Sequence, residues 1–202
     1  MNAAAPSPPL APSERADLIT KDMVRWLERA VIGLNLCPFA KGVHAKGQIH
    51  YAVSAATDAV ALAQDLRREL ADLAAAPAEV RDTTLLMAPD CLQDFLEFND
   101  FLGLAEDVLE ELDLDGTLQI ASFHPQFQFA GTDAGDVTNC TNRAPYPTLH
   151  LLREDSIDRA VQAYPEAEAI YERNMEVLEK LGMPGWQALD VGVNTAASTP
   201  DL

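Results

Sequence analysis

All four histidines and two of the three cysteines lie in two stretches that are nearly free of acidic residues. No Asp or Glu occurs from Arg29 to Thr57, and from Gly116 to Arg153 the acids are Asp133 and Asp136, in a chain of net charge −18. These stretches predict a locally positive potential and one shared pocket for an anion. The alternative is that both are buried loop and strand, where charges of either sign are scarce.

His124 is a candidate for acid–base chemistry. It follows the apolar run Leu118–Phe123, which predicts a strand, and Pro125 after it favours an extended backbone. Because histidine titrates near neutral pH, His124 could act as a general acid or base in a pocket at the strand end. Alternatively, its ring binds a loop carbonyl and fixes the segment that follows.

That segment, Ser122–Pro147, which we call the exit segment, contains a candidate anion site. The planar guanidinium of Arg143 can bind a carboxylate or phosphate through two parallel hydrogen bonds, and Asn142 beside it can complete the site. The alternative is that Arg143 pairs with Asp133 or Asp136 and fastens the segment.

His150 and Arg153 are further candidates for binding the anion. If Pro147 begins a helix, these two side chains share one face and lie near free backbone N–H groups. Leu149 and Leu151 alternate with His150 and Leu152, however, which is also typical of a strand. The sequence leaves both alternatives open.

Lys41 and His44 lie in the Gly-containing stretch "AKGVHAKGQ", which could bring positive charge to an anion as a mobile loop or could be a solvated turn. Cys37 could be a nucleophile with His124 as its base. Its predicted position at the C-terminal end of a helix disfavours the thiolate, however, and a small buried packing residue is the alternative.

A zinc site is a further alternative. Imidazoles and thiols are zinc ligands, and no pair of them here has the close spacing of a metal motif. The residues that could contribute are Cys37, His44, His50, His124 and His150.

The order of the predicted strands and helices indicates where these candidate residues lie in the fold. Apolar runs predict strands at 48–54, 83–88 and 118–123, separated by helices. We therefore predict an α/β (or α+β) fold, with a small mixed or parallel sheet of about three to five strands and helices packed on it. The exit segment then leaves the carboxyl end of a strand, where open sheets of this class bind ligands.

Helix and domain boundaries follow from caps and composition. Asp90 with Gln93 predicts the start of the third helix, and the last helix is predicted over 166–181 with Gly182 as its cap. We predict a disordered leader over 1–12, one globular domain over 13–190 and a flexible tail over 191–202.

Composition excludes several classes of function. A net charge of −18 disfavours binding to nucleic acid and to anionic membranes, and no apolar run approaches the length of a membrane span. The first residues do not resemble a secretion signal, and three cysteines do not suggest a disulfide framework. A cytoplasmic protein is the expectation.

Five strings resemble one family: "VIGLNLCPFAKGVH", "QDFLEFNDFL", "SFHPQFQFAG", "TNRAPYPTLHLLRE" and "AIYERN". They are similar to the family catalogued as domain of unknown function 1415, found in bacteria and plants, and the resemblance spans about Ser13 to Ala188. It implies a single-domain protein and no particular activity. It supports Cys37, His124, Asn142, Arg143 and His150 as motif positions, whereas the position of Cys140 is more usually tyrosine in that pattern.

The functional prediction is an enzyme that acts on a small phosphate- or carboxylate-bearing metabolite in a cleft at the strand ends. The alternatives are a ligand-binding or protein-interaction module without catalysis, and a zinc-dependent or thiol enzyme. No cofactor or oligomeric state is indicated. The predicted catalytic residues are His124 and Cys37, and the predicted binding residues are Arg143, Asn142, His150, Arg153, Lys41 and His44.

Overall fold

The computed structural model describes residues 10–163 and 169–193. The helices are α1 (Pro12–Trp26), α2 (Ala40–Ala45), α3 (Ala59–Ala75), α4 (Phe95–Glu111), α5 (Glu154–Ala163) and α6 (Ile170–Ala188). A π-helical turn, Leu27–Ile32, extends α1, and a 3-10 helix, Val137–Asn142, lies within the exit segment. The strands are β1 (Ile49–Val53), β2 (Thr83–Met87), β3 (Leu118–Phe123) and β4 (Thr148–Arg153).

The four strands form one mixed sheet in the order β1-β2-β4-β3. β1 pairs with β2 in parallel, and β4 pairs in antiparallel fashion with both β2 and β3. Strands β1, β2 and β3 therefore all point the same way, and only β4 runs against them. The predicted class and the small mixed sheet are confirmed.

Both faces of the sheet are covered, because successive side chains of each strand point to opposite sides. Leu86 and Leu149 pack on one side against α3 and α4. Leu85 and Met87 pack on the other side against α1, which buries Met23 and Trp26. The arrangement has three layers, with the sheet in the middle.

β4 resolves the alternative that the sequence left open, because the chain from Thr148 to Arg153 is a strand. Residues three apart on a strand point to opposite faces, so His150 and Arg153 do not share one. His150 faces the α1 side together with its partner Leu85 in β2.

The predicted start of the third helix is wrong by several residues. α4 begins after Asp94, whose carboxylate accepts hydrogen bonds from the backbone N–H groups of Leu96 and Glu97, at 2.8 and 3.1 Å. Asp90 instead forms an ion pair with Arg15 across the fold. The cap is thus set by the nearer aspartate, because Asp90 is held by a residue of α1.

The predicted end of the last helix coincides with a break within α6 at Gly182. Gly182 adopts φ +65°, as a C-cap glycine would, but helical turns resume and continue to Ala188. Pro184 lies in the first turn after the break, where its missing N–H costs no hydrogen bond. The predicted start of this helix at 166, and most of the predicted leader and tail, lie outside the described residues.

In the described ranges no helix combines the length and apolarity that a membrane span requires.

Candidate functional site

The exit segment begins and ends at the same edge of the sheet. Phe123, the last residue of β3, pairs with Thr148, the first residue of β4, and Met87 at the end of β2 pairs with Thr148 from the other side. The 3-10 helix of the segment packs under α6, where Cys140 and Leu178 are buried together. The segment therefore covers the carboxyl ends of the parallel-oriented strands.

His124 is fully buried at the start of this segment, with 0% of its surface exposed. Its Nδ1 accepts a hydrogen bond from the backbone N–H of Gln126 at 3.0 Å, so Nε2 carries the proton and donates to the carbonyl of Leu92 at 3.1 Å. Phe95 and Phe98 pack against the ring, and burial lowers the pKa of His124. Both nitrogens are thus used within the protein, which favours the alternative that the ring fixes the segment.

Arg143 and Asn142 also hold the exit segment. Arg143 donates from Nε to the carbonyl of Phe127 at 3.0 Å and from a terminal nitrogen to the carbonyl of Ala134 at 2.7 Å. The carbonyl of Asn142 accepts a hydrogen bond from the N–H of His124 at 3.1 Å. Arg143 therefore fastens the exit segment, as the alternative for this residue predicted. It does so through hydrogen bonds to backbone carbonyls and not through the expected aspartates.

Asn139 is a central residue of this segment that the sequence reasoning missed. Its side chain is fully buried and accepts hydrogen bonds from the N–H of Phe129 and the hydroxyl of Thr132, both at 2.9 Å. Its amide donates to the carbonyl of Asp133, also at 2.9 Å. Two asparagines, Asn139 and Asn142, and several threonines lie close together in the sequence, and no local signal separates Asn139 from these neighbours.

Between the exit segment and the start of α4 lies an open cleft of about 510 Å³, which we call the edge cleft. Arg143 lines one part of it, and Asp94, Gln126 and Gln128 line others. This is the place where the sequence predicted an anion site, and a ligand there remains a prediction.

Arg143→Met is expected to lower the free energy of unfolding by about 1–3 kcal/mol, because two hydrogen bonds from a charged group are lost. Amide hydrogen exchange in residues 127–143 should become faster, since those bonds join distant parts of the segment. Arg67→Met is the matched control, because Arg67 makes an exposed ion pair with Glu111 that contributes little. Unchanged exchange in Arg143→Met would contradict the fastening role.

A second cavity, of about 720 Å³, lies on the α1 face of the sheet, and we call it the sheet-face cavity. Its walls come from the sheet, the α1 region, α2 and α5. Most of the lining is apolar, and it includes Trp26, Val31, Phe39, Leu85, Phe123 and Ile157. Its volume is in the range of pockets that bind small molecules.

The two acid-poor stretches of the sequence meet in this cavity. The first contributes Cys37 and Lys46, and the second contributes Gln119, His150 and Arg153. The cavity extends toward Thr83 at the beginning of β2, so it reaches the sheet edge opposite to the exit segment. The sequence predicted one shared pocket at the other edge, where the strands end, and that pocket remains a prediction.

His150 lies in the floor of the sheet-face cavity, in the middle of β4. Its neighbours across the sheet are Leu85 and the small Ala121, and Phe123 packs beside its ring at 5.9 Å between centroids. No hydrogen bond to this imidazole occurs within the described parts of the chain. Burial lowers its pKa to about 4, so the ring is neutral at physiological pH.

Cys37 lines the same cavity, close to the start of α2. Burial raises the pKa of its thiol, and hydrogen bonds from the backbone N–H groups of Phe39 and Ala40 oppose that effect without outweighing it. The thiol form therefore prevails at neutral pH, which disfavours attack on an electrophile. The nucleophilic role of Cys37 remains a prediction, and its packing role accords with its surroundings.

Lys41 and His44 lie on α2 but do not line the sheet-face cavity. His44 lies 3.2 Å from the carboxylate of Glu28, and Lys41 is exposed. The helix presents Val43 and the following Lys46 to the cavity instead. Of the eight predicted residues, Cys37 and His150 meet in the sheet-face cavity, and His124, Asn142 and Arg143 meet in the exit segment. Arg153 also lines the cavity, but its guanidinium binds the carbonyls of Leu73 and Ala76 at the end of α3.

The side chains weighed for zinc are spread over these separate places. Within residues 10–163 and 169–193, no three His, Cys, Asp or Glu side chains form a group that could hold a metal ion. His50, for example, is an exposed residue of β1 whose ring lies 3.7 Å from the carboxylate of Glu69 in α3.

Comparison with known proteins gives one finding. A family model described as "Protein of unknown function (DUF1415)" matches residues 18–188. Comparisons with curated proteins and with solved structures gave no match.

Proposed function

The chain belongs to DUF1415, a family of unknown function, and we propose that it binds a small, largely apolar molecule in the sheet-face cavity. One observation carries this proposal. The imidazole of His150 lies in the wall of an apolar cavity and has no hydrogen-bond partner among the described residues. The cavity offers the space, and His150 offers the polar contact that fixes a ligand within it.

A polar group in apolar surroundings is unfavourable unless something hydrogen-bonds it. His150 is half-buried and lines the cavity, so a molecule in the cavity, water or a ligand, can hydrogen-bond its ring. A ligand hydroxyl, carbonyl or carboxylate would satisfy the ring. Such a contact accounts for a histidine in the floor of the cavity, where an aliphatic residue would pack equally well.

The neutral state of His150 favours binding over acid–base catalysis. A neutral imidazole offers one N–H donor and one acceptor nitrogen. With a pKa of about 4, the ring is a weak base at pH 7 and almost never carries the proton that an acid must give. We therefore propose a ligand-binding protein, and the predicted acid–base role of His124 is not part of this proposal.

A thermal-shift screen tests the proposal. The full chain is titrated with a panel of short aryl and alkyl alcohols, amides and carboxylates at pH 7. A ligand at one hundred times its dissociation constant stabilises the folded state by about 2.7 kcal/mol. We expect at least one compound to raise the melting temperature of the wild type and to lose that effect in His150→Phe.

His50→Phe is the matched control, because His50 is exposed on β1 and does not line the cavity. It should keep the full ligand effect. No stabilisation by any compound, or an equal effect in His150→Phe, would argue against the proposal. A compound whose effect is lost in Arg143→Met instead would favour the edge cleft as the binding site.

A further inference from the structure

Two polar side chains of the sheet line the sheet-face cavity without a hydrogen-bond partner. They are His150 in β4 and Gln119 in β3, and neither side chain has such a partner among the described residues. Ala121 lies opposite His150, and Gln119 precedes Ala121 by two positions on the same strand. Gln119 therefore points to the same face of the sheet as His150 and is its diagonal neighbour.

Both side chains offer a donor and an acceptor without carrying a charge. The amide of Gln119 holds an NH₂ group and a carbonyl oxygen side by side in one plane, and the neutral imidazole of His150 has one N–H and one acceptor nitrogen. The hydroxyl of Thr83, which also lines the cavity, already donates to the carbonyl of Leu151 at 2.6 Å. Gln119 and His150 thus suit a partner that both donates and accepts.

Among the described residues, the charges that face the cavity cancel. Lys46 and Asp82 both line it and carry opposite charges. The guanidinium of Arg153 is turned to the other face of the sheet, where it donates to the carbonyls of Leu73 and Ala76. A charged group on a ligand would therefore lose water among apolar side chains without a net opposite charge to replace it, which is strongly unfavourable. The cavity favours an uncharged ligand.

Aromatic side chains form one wall of the cavity beside these polar groups. Phe123 packs against the ring of His150 at 5.9 Å and against Trp26 at 5.1 Å between ring centroids. Phe39 lines the cavity as well. Aromatic rings pack favourably on one another in stacked or edge-to-face arrangements. This wall therefore favours a flat ring system over a flexible chain.

We infer that the ligand of the sheet-face cavity is an uncharged aromatic compound of the lactam type, a flat ring system whose adjacent N–H and C=O groups pair with the amide of Gln119 beside His150. An amide edge is complementary to another amide edge, because each supplies the donor that the other accepts. This inference rests on the proposed function. It adds the chemical class of the ligand and assigns Gln119 as the residue that selects it.

Three small probes of similar size test the inference by NMR titration of the full chain at pH 7. Isoindolinone has an N–H beside its carbonyl, phthalide is the same bicycle with a ring oxygen in place of the N–H, and ortho-toluate carries a charge. We expect isoindolinone to bind the wild type about three- to tenfold more tightly than phthalide, the effect of one hydrogen bond between uncharged groups. Ortho-toluate should bind at least about tenfold more weakly than isoindolinone, because its carboxylate loses water without gaining a charged partner.

Gln119→Met should remove the preference for isoindolinone and leave the affinity for phthalide almost unchanged. The substitution keeps the length of an exposed side chain that has no partner among the described residues, so the fold should be retained. Gln126→Met is the matched control, because Gln126 is also exposed but lines the edge cleft. This control should keep the full preference.

The outcomes separate the ligand class from the proposed function. Equal affinities of isoindolinone and phthalide, an unchanged preference in Gln119→Met, or tighter binding of ortho-toluate would each overturn the ligand class and leave the cavity as a binding site. The same holds if none of the three probes binds while an alcohol or another compound of the thermal-shift panel does. If no compound of either set binds, the proposed function itself is overturned.

Discussion

Replacing His124 with alanine is expected to lower the free energy of unfolding by about 3–5 kcal/mol. The substitution removes a fully buried ring that packs against Phe95 and Phe98. It also leaves the carbonyl of Leu92 and the N–H of Gln126 without their partners. Urea denaturation followed by circular dichroism measures the change.

His44→Ala is the control for this experiment. His44 is only half-buried, and within the described part of the chain its partner is the exposed carboxylate of Glu28. Its removal should cost less than about 1 kcal/mol. A His124→Ala variant as stable as the wild type would show that the ring is not structural, and it would restore His124 as a candidate for catalysis.

The second large effect concerns pH. Wild-type stability should fall relative to His150→Phe as the pH is lowered from about 6.5 to about 4, by up to about 3 kcal/mol. Burial lowers the pKa of His150 in the folded chain from its ordinary value of 6.5 to about 4. Between these values the unfolded state binds the proton and the folded state does not. The stability that the wild type gains from holding His150 neutral is therefore fully present above pH 6.5, and it is lost as the pH falls toward 4.

Urea titrations of the two proteins across this range measure the difference. The other charged groups that line the cavity, Lys46, Asp82 and Arg153, are present in both proteins, as is His124, so their contributions cancel. Parallel curves for the two proteins would mean that His150 titrates normally, and the ring would then be open to water rather than enclosed. His150 would then have no need of a ligand as its hydrogen-bond partner.

Local patterns in the sequence were sufficient for three of the four strands of the sheet. Thr83–Met87 is a short run of apolar and β-branched residues with five buried positions, and such a run predicts a central strand without further information. The range predicted for β3 is the one observed. β4 was left open, because Leu149 and Leu151 fit a strand while Pro147 fits a helix start, and its place between β2 and β3 is fixed by pairing across the chain.

The two central histidines show why the site was harder to predict than the fold. Both His124 and His150 lie in the same acid-poor stretch, and both were candidates. Their difference comes from distant groups: Leu92 provides a carbonyl for one ring, and the small Ala121 leaves space beside the other. Neither neighbour can be identified from the sequence around the histidine, so the role of each ring follows from the tertiary structure.

The strand order also bears on how the protein is made. β2 and β3 are joined only through β4, which is the last strand of the described chain to leave the ribosome. While a nascent chain ends before Thr148, β1 and β2 can pair, but β3 has no neighbour and its edge and that of β2 remain open. Open edges pair readily with other strands, so the interval before β4 emerges is the period of greatest exposure to aggregation. A premature stop codon anywhere before residue 148 would make that interval permanent.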